Sequence, residues 1–279
     1  MLSRIATTTV VWVVILTSLY FFGDHAAVVL LTALGVLTLH ELYGLTLTMG
    51  ARPFRWMGLG FSALMIAGPF YAGRFIAEPD LTDNLASSLL IVALLVSCVR
   101  VLGERDPTNR VETIAATVLG LLFVPFLLQF LVRILMLDAD NHDNLALCLW
   151  VVTVSKFCDV GALLSGLAFG RHKMAPLISP KKTWEGAVGG VLFSAGTGAA
   201  FAYFASEYLP GALTPAVAAV IGVPLALTTI LSDLIESAIK RRAGTKDTGQ
   251  LFPGIGGAFD LTDSLLLTAP VAYYIFSFL

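Results

Sequence analysis

The sequence predicts an all-α polytopic membrane protein with about nine transmembrane helices. Three observations carry that reading. Hydrophobic residues are 57% of the 279 and charged residues only 13%, whereas a typical soluble domain carries roughly 25% charge. The mean hydropathy is +0.85. The apolar residues also lie in long unalternating runs, which suit spanning helices and not the alternating strands of a membrane barrel. A soluble globule of this composition would lack the polar surface to cover itself, and disorder is excluded on the same grounds.

Taken in order, the apolar runs place spans at about 7–22, 26–48, 57–77, 86–103, 112–137, 145–169, 187–206, 211–231 and 264–279. Arg4 is the only basic residue before the first run, and no small-residue cleavage site precedes Gly23. The first run therefore reads as a retained span and not a removable signal peptide. Cys98, Cys148 and Cys158 sit in apolar stretches without a CxxC pair, as small buried hydrophobes do. The expected division is an N-terminal set of helices, 1–143, and a C-terminal region, 144–279, with long loops at 170–186 and 232–263.

The basic residues orient the chain. Thirteen of the seventeen fall in loops on one side: Arg4, Arg52 and Arg55, Arg105 and Arg110, then two clusters at 171–182 and 240–246. Arg74, Arg100, Arg133 and Lys156 lie within spans or near their ends. The alternate loops hold no Lys or Arg but do hold Asp24, Glu78, Asp80, Asp83, Asp138, Asp140, Asp143 and Glu207. Positive-inside then predicts a cytoplasmic N-terminus, cytoplasmic loops at 170–186 and 232–263, and an external C-terminus. In a bacterium the location would be the inner, cytoplasmic membrane. The net charge of −2 says little about partners, because placement of charge matters more than its sum, and nothing suggests a nucleic acid.

The two long loops gather most of the unusual polar residues. On a helix continuing from the eighth span, Asp233, Glu236, Ser237 and Lys240 share one face at i, i+3, i+4 and i+7. Asp260 and Asp263 repeat the i, i+3 spacing before the last span. Two such acid-bearing helix ends make an oxygen-rich divalent site suited to Mg²⁺ and phosphate. Between them, Gly254, Gly256 and Gly257 let backbone amides approach an anion. Together with the basic side chains this supports phosphoryl chemistry. Lys156 and Asp159 lie three apart inside the sixth span and should face the bundle interior, since charge in lipid is costly. Glu41, in the second span, either lines the same cavity or snorkels.

Three motifs carry a resemblance: Ser179-Pro-Lys-Lys-Thr-Trp-Glu-Gly186, Asp159-Val-Gly-Ala162, and Ser237-x-x-Lys240-Arg241-x₄-Lys246-Asp247 followed by Pro253-x-x-Gly256-Gly257-x-x-Asp260-x-x-Asp263. Over about residues 150–270 the chain resembles the integral-membrane phosphatidate cytidylyltransferases, or CDP-diacylglycerol synthases. Two positions depart from that family's pattern: Ile255 stands for a His and Leu261 for an Arg, so neither side chain's role is carried over.

The resemblance implies that CTP and phosphatidic acid yield CDP-diacylglycerol and pyrophosphate. It places Asp233, Lys240, Arg241, Lys246, Asp247 and Asp260 in the chemistry. It places Asp159, Ser179, Lys181, Lys182, Thr183, Glu185, Ser237, Gly256 and Gly257 in substrate binding. Mg²⁺ is expected on Asp233 and Asp260, with Asp263 and Glu236 supporting a second cation. The expected partners are CTP, phosphatidic acid and membrane lipids, with a homodimer as a further expectation. A CTP-dependent polyprenol kinase, a membrane transporter and a non-catalytic lipid-binding relative are the competing readings.

Orientation is directly testable. Cysteines placed near Asp80 or Asp140 should react with an impermeant thiol reagent applied to intact cells, and one near Arg242 should not. External labelling beside Arg242 would overturn the predicted topology.

Overall fold

The computed structural model describes residues 2–75, 82, 84–104, 109–137, 143–245, 248–249 and 256–279, with side chains from residue 13 onward. Its helices are α1 (Leu2–Thr48), α2 (Arg55–Ala72), α3 (Leu85–Leu102), α4 (Arg110–Phe123), α5 (Pro125–Leu135), α6 (Asn144–Phe169), α7 (Trp184–Phe204), α8 (Pro215–Arg242), α9 (Ala258–Leu266) and α10 (Thr268–Phe276). The strands β1 (Lys173–Ala175) and β2 (Ser179–Thr183) form the one sheet among the described residues. The all-α expectation holds, with this hairpin set into the loop at 170–186.

Among the described residues, six helical stretches are long and apolar enough to cross a membrane: Val13–Thr48, Leu85–Leu102, Arg110–Leu135, Asn144–Phe169, Trp184–Phe204 and Pro215–Arg242. The sequence count of nine is larger because it divides the first at Gly23 and adds α2 and the C-terminal pair α9–α10. At Gly23 the backbone leaves helical geometry (φ 52°, ψ −131°), a left-handed φ that glycine adopts without strain. The turn expected at 23–25 is thus a single-residue break. Pro125 begins α5 directly after Val124 ends α4, because proline has no N–H to continue the ladder.

Two compact units emerge: 1–132 with 242–262, and 133–241 with 263–279. In the first, Tyr43 is fully buried and its hydroxyl donates to the Thr117 carbonyl at 2.8 Å. Gly58 and Gly120 make room for that ring, since a Cβ at either would lie 2.4 Å from a Tyr43 atom. The Thr117 hydroxyl accepts the Phe54 N–H at 2.9 Å, which ties the α1–α2 connection to α4. The Thr38 and Thr262 hydroxyls meet at 3.1 Å.

In the second unit α6 and α7 pack closely through small residues. Gly186, Gly189 and Gly190 on α7 face Ala162, Ser165 and Cys158 on α6, and Gly161 on α6 faces Phe193. Lipid offers little hydrophobic drive for such a pair, so close approach and dispersion hold it. Trp150 is fully buried, donates from Nε1 to the Gly198 carbonyl at 3.0 Å, and packs edge-on against Phe276 at 5.7 Å between ring centres. Thr229 and Thr268 exchange a hydroxyl hydrogen bond at 3.1 Å, joining α8 to α10.

A Cβ at Gly189 would lie 1.9 Å from Ser165 Oγ and 2.2 Å from its Cβ, whereas at Gly196 nothing lies within 4 Å. Gly189→Ala should therefore cost about 1–3 kcal/mol, the usual penalty of overpacking, and lower the thermal unfolding midpoint in detergent. Gly196→Ala should not. Equal midpoints for the two variants would contradict this helix contact.

Candidate active site

In the second unit, α6, β2, α8 and α9 each deliver charged side chains that lie buried or half-buried. The helix α8 presents Asp233 and Glu236 one turn apart, and α9 presents Asp263. One oxygen from each of these three carboxylates lies within 4.8 Å of the others. Each is also met by a lysine. Lys182 Nζ is 2.6 Å from Asp233, Lys240 Nζ is 2.5 Å from Glu236, and Lys156 Nζ is 3.8 Å from Asp263. Lys156 also donates to the Ser264 hydroxyl at 2.7 Å. Glu236 is 1% exposed, and burying a lone carboxylate there would be prohibitive without such a partner. The Ser232 hydroxyl donates to the Asp263 backbone carbonyl, which ties α8 to α9 beside the acids.

A cavity of about 550 Å³ adjoins this cluster, lined by Asp159, Asp233, Lys173, Lys181, Lys182 and Thr183 together with apolar residues of α6. Leu163 and Leu167 line it and are still 62% and 77% exposed. The cavity wall thus runs onto the outer surface of α6. A charged floor and a wall open toward the hydrocarbon face suit a ligand with a phosphate head and a lipid tail.

The hairpin owes its placement to Glu185. Its carboxylate accepts from the Arg171 N–H at 3.1 Å and the His172 N–H at 3.2 Å, and meets His172 Nδ1 at 2.6 Å. Thr183 caps α7 by accepting from the Gly186 N–H at 3.1 Å. These two side chains therefore shape the entry from β2 into α7, a local reason for the Thr-Trp-Glu-Gly sequence. Ser179 begins β2, paired opposite Ala175. Arg241 donates from Nε to the Ile178 carbonyl at 3.2 Å, tying the end of α8 to the hairpin. Ser237 is half-buried on α8. Lys156 and Asp159, paired by spacing in the sequence, have different surroundings: Lys156 meets Asp263 and Asp159 lines the cavity.

The first unit holds the remaining residues. Asp260 Oδ2 accepts from the Gly257 N–H at 2.8 Å and from the Thr248 hydroxyl at 3.1 Å, so it caps its own helix. Gly256 adopts φ 120°, which only glycine takes without strain. Glu41 is the residue whose role the sequence left open. It is buried and accepts from the Phe259 N–H at 2.9 Å and the Thr248 hydroxyl at 3.1 Å. A Cβ at Gly249 or Gly257 would fall 2.4 or 2.3 Å from its carboxylate oxygens. A carboxylate from α1 therefore fixes the start of α9, where a helix dipole favours negative charge. The signal for it was a lone acid inside an apolar run. Lys246, Asp247 and Ile255 lie outside the described residues.

Residues 2–279 match the cytidylyltransferase family. The chain belongs to that family. It is 30% identical over 288 aligned positions to a phosphatidate cytidylyltransferase of Thermotoga maritima, covering 99% of this chain and 96% of that one. It is 35% identical over 177 residues to the phosphatidate cytidylyltransferase of Mycobacterium bovis, covering 63% of this chain and 55% of the relative. A Haemophilus influenzae protein of the same name is 37% identical over 139 residues, half of this chain and 48% of the relative. The chain thus spans about half the length of the mycobacterial and Haemophilus relatives and nearly all of the Thermotoga one.

Glu41→Ala should leave a buried Phe259 N–H without its acceptor and cost about 1–3 kcal/mol of stability. Glu41→Gln retains an acceptor oxygen and should cost less. Thermal unfolding in detergent checks both, and an alanine variant as stable as the parent would remove Glu41 from this role.

Proposed function

We propose that the protein transfers the cytidylyl group of CTP to phosphatidic acid at the cavity of the second unit, giving CDP-diacylglycerol and pyrophosphate. The observation that carries this reading is the matched set of three carboxylates and three lysines beside a cavity with a charged floor and an apolar outer wall. Membership of the cytidylyltransferase family and the names of its relatives support it independently.

The arrangement can do the chemistry in one displacement. A phosphate oxygen of phosphatidic acid attacks the α-phosphorus of CTP. The new P–O bond forms as the bond to the α–β bridging oxygen breaks, and pyrophosphate leaves with that electron pair. A phosphate monoester is largely dianionic near neutral pH, so the attacking oxygen needs no dedicated base. Lys181, Lys182 and Lys173 line the cavity and supply positive charge to the triphosphate. Lys240, held beside Glu236, adds a further ammonium. Such positioned charge stabilises the transition state more than a diffuse field does. Leu163 and Leu167 would lie along the acyl chains.

The donor set fits Mg²⁺: three carboxylate oxygens, which are hard ligands, within 4.8 Å of one another. Asp233, Glu236 and Asp263 would hold it. Bound there, the ion supplies Lewis-acid neutralisation of the phosphates.

The test uses purified protein in detergent with labelled CTP, phosphatidic acid and Mg²⁺. Release of pyrophosphate with a CDP-lipid supports the reading, and release of CDP with a phosphorylated lipid alcohol would replace it with a kinase. Asp233→Asn and Asp263→Asn should nearly abolish turnover. Lys182→Ala and Lys240→Ala should each cost at least about 100-fold, as for a lost electrostatic stabiliser. Arg242→Ala should change turnover only a few-fold. Equal, modest losses at Lys182, Lys240 and Arg242 would mean a membrane anchor and not a reaction centre.

A further inference from the structure

We propose that the first unit carries a phosphate-binding cleft of its own, built on Arg52, Arg55, Arg100 and Arg110, that takes the phosphate of an anionic phospholipid headgroup. The cleft encloses about 370 Å³, within the range of small-ligand sites at about 300–1,000 Å³. Three separate stretches converge on it. The α1–α2 connection and the start of α2 bring Arg52 and Arg55, the last turn of α3 brings Arg100, and the first residue of α4 brings Arg110.

Groups other than carboxylates hold three of these guanidiniums in place. Arg55 Nη2 lies 2.8 Å from His40 Nε2. Arg100 stacks over the Phe54 ring at 4.6 Å from its centre. Arg110 Nη2 donates to the Glu104 backbone carbonyl at 2.9 Å. These contacts orient the forks without neutralising them. Glu104 is the one carboxylate among the described residues that line the cleft. Arg110 Nε is buried with no hydrogen-bond partner among the described residues. A buried charged donor in that state is costly, and an anionic oxygen in the cleft is what would satisfy it.

The residue types point to phosphate held at a membrane surface. Positive-inside anchoring is met equally by lysine and arginine, yet every basic residue lining this cleft is arginine. Arginine offers a planar fork that matches phosphate oxygens in pairs. Trp56 lines the cleft and is 85% exposed, as an indole at headgroup depth is. The Phe54 wall is rigid because its N–H is bound by the buried Thr117 hydroxyl.

The test is lipid retention by native mass spectrometry of the delipidated full-length protein. It is titrated with phosphatidylglycerol or with phosphatidylcholine of the same acyl chains, with and without millimolar inorganic phosphate. The expected result is preferential retention of phosphatidylglycerol. Arg110→Lys and Arg55→Lys keep the charge but lose the fork, and each should weaken that retention about tenfold, as for one charge-assisted hydrogen bond. Arg52→Lys serves in place of either variant if its thermal unfolding differs from the parent's. Displacement of the lipid by inorganic phosphate would overturn the lipid assignment in favour of a soluble phosphate. Retention unchanged in the lysine variants, or equal for both lipids, would reduce the cleft to diffuse positive charge and overturn the proposal.

Discussion

Charge buried in an apolar bundle must be matched, and the second unit is organised around that constraint. Asp233, Glu236 and Asp263 bring three negative charges within 4.8 Å of one another. Alone they would repel strongly in a medium where water screens poorly. Lys182, Lys240 and Lys156 each answer one of them. The pairing makes a charged site compatible with helices that are otherwise Leu, Val, Ala and Gly. It also stores what phosphoryl transfer needs, because the carboxylates suit a hard cation and the ammonium groups suit phosphate.

The packing follows from where those groups must stand. Lys156 and Asp159 are on α6, the acids on α8 and α9, and Lys182 on the hairpin between α6 and α7. Glycines at the α6–α7 contact bring the two helices close, which sets the ends of the hairpin. Glu185 and Thr183 then fix its exit, and Arg241 ties it back to α8. Hydroxyls of Ser232 and Thr229 join α8 to the C-terminal helices. Each of these contacts is polar, local and paid for within the bundle, as a low-dielectric interior demands. In the first unit the Glu41 carboxylate performs the corresponding task for the start of α9.

Much of this was legible in the sequence, for identifiable reasons. Spans reveal themselves because a membrane helix must be apolar over a fixed length. The shared face of Asp233, Glu236 and Lys240 follows from helical periodicity alone. Partner choice across the fold does not. Lys156 lies three residues from Asp159, yet it also pairs with Asp263 on α9, a contact that spacing along one helix does not give. Glu41 meets Phe259 across 218 positions, a contact that no local pattern encodes. Glu185 belongs to a motif that implies substrate binding, but its oxygens accept from Arg171 and His172. The hairpin itself is hidden in a loop whose glycine, prolines and lysines lack the alternation of an ordinary strand. The break at Gly23 is legible through Asp24 and His25, which interrupt the apolar run, but its extent is not, because the helix resumes after a single non-helical residue.

In the proposed reaction the lysines stand in for a divalent cation's charge at the three carboxylates and serve phosphate when that cation is present. Isothermal titration of Mg²⁺ into the purified protein and into Lys182→Gln and Asp263→Asn variants tests this most directly. Removing the ammonium beside Asp233 leaves the acids more negative, so Lys182→Gln should bind Mg²⁺ more tightly than the parent while turning over less. Asp263→Asn should bind it more weakly. Weaker or unchanged Mg²⁺ binding in Lys182→Gln would contradict the claim and leave the acid–lysine cluster a purely structural ion-pair network.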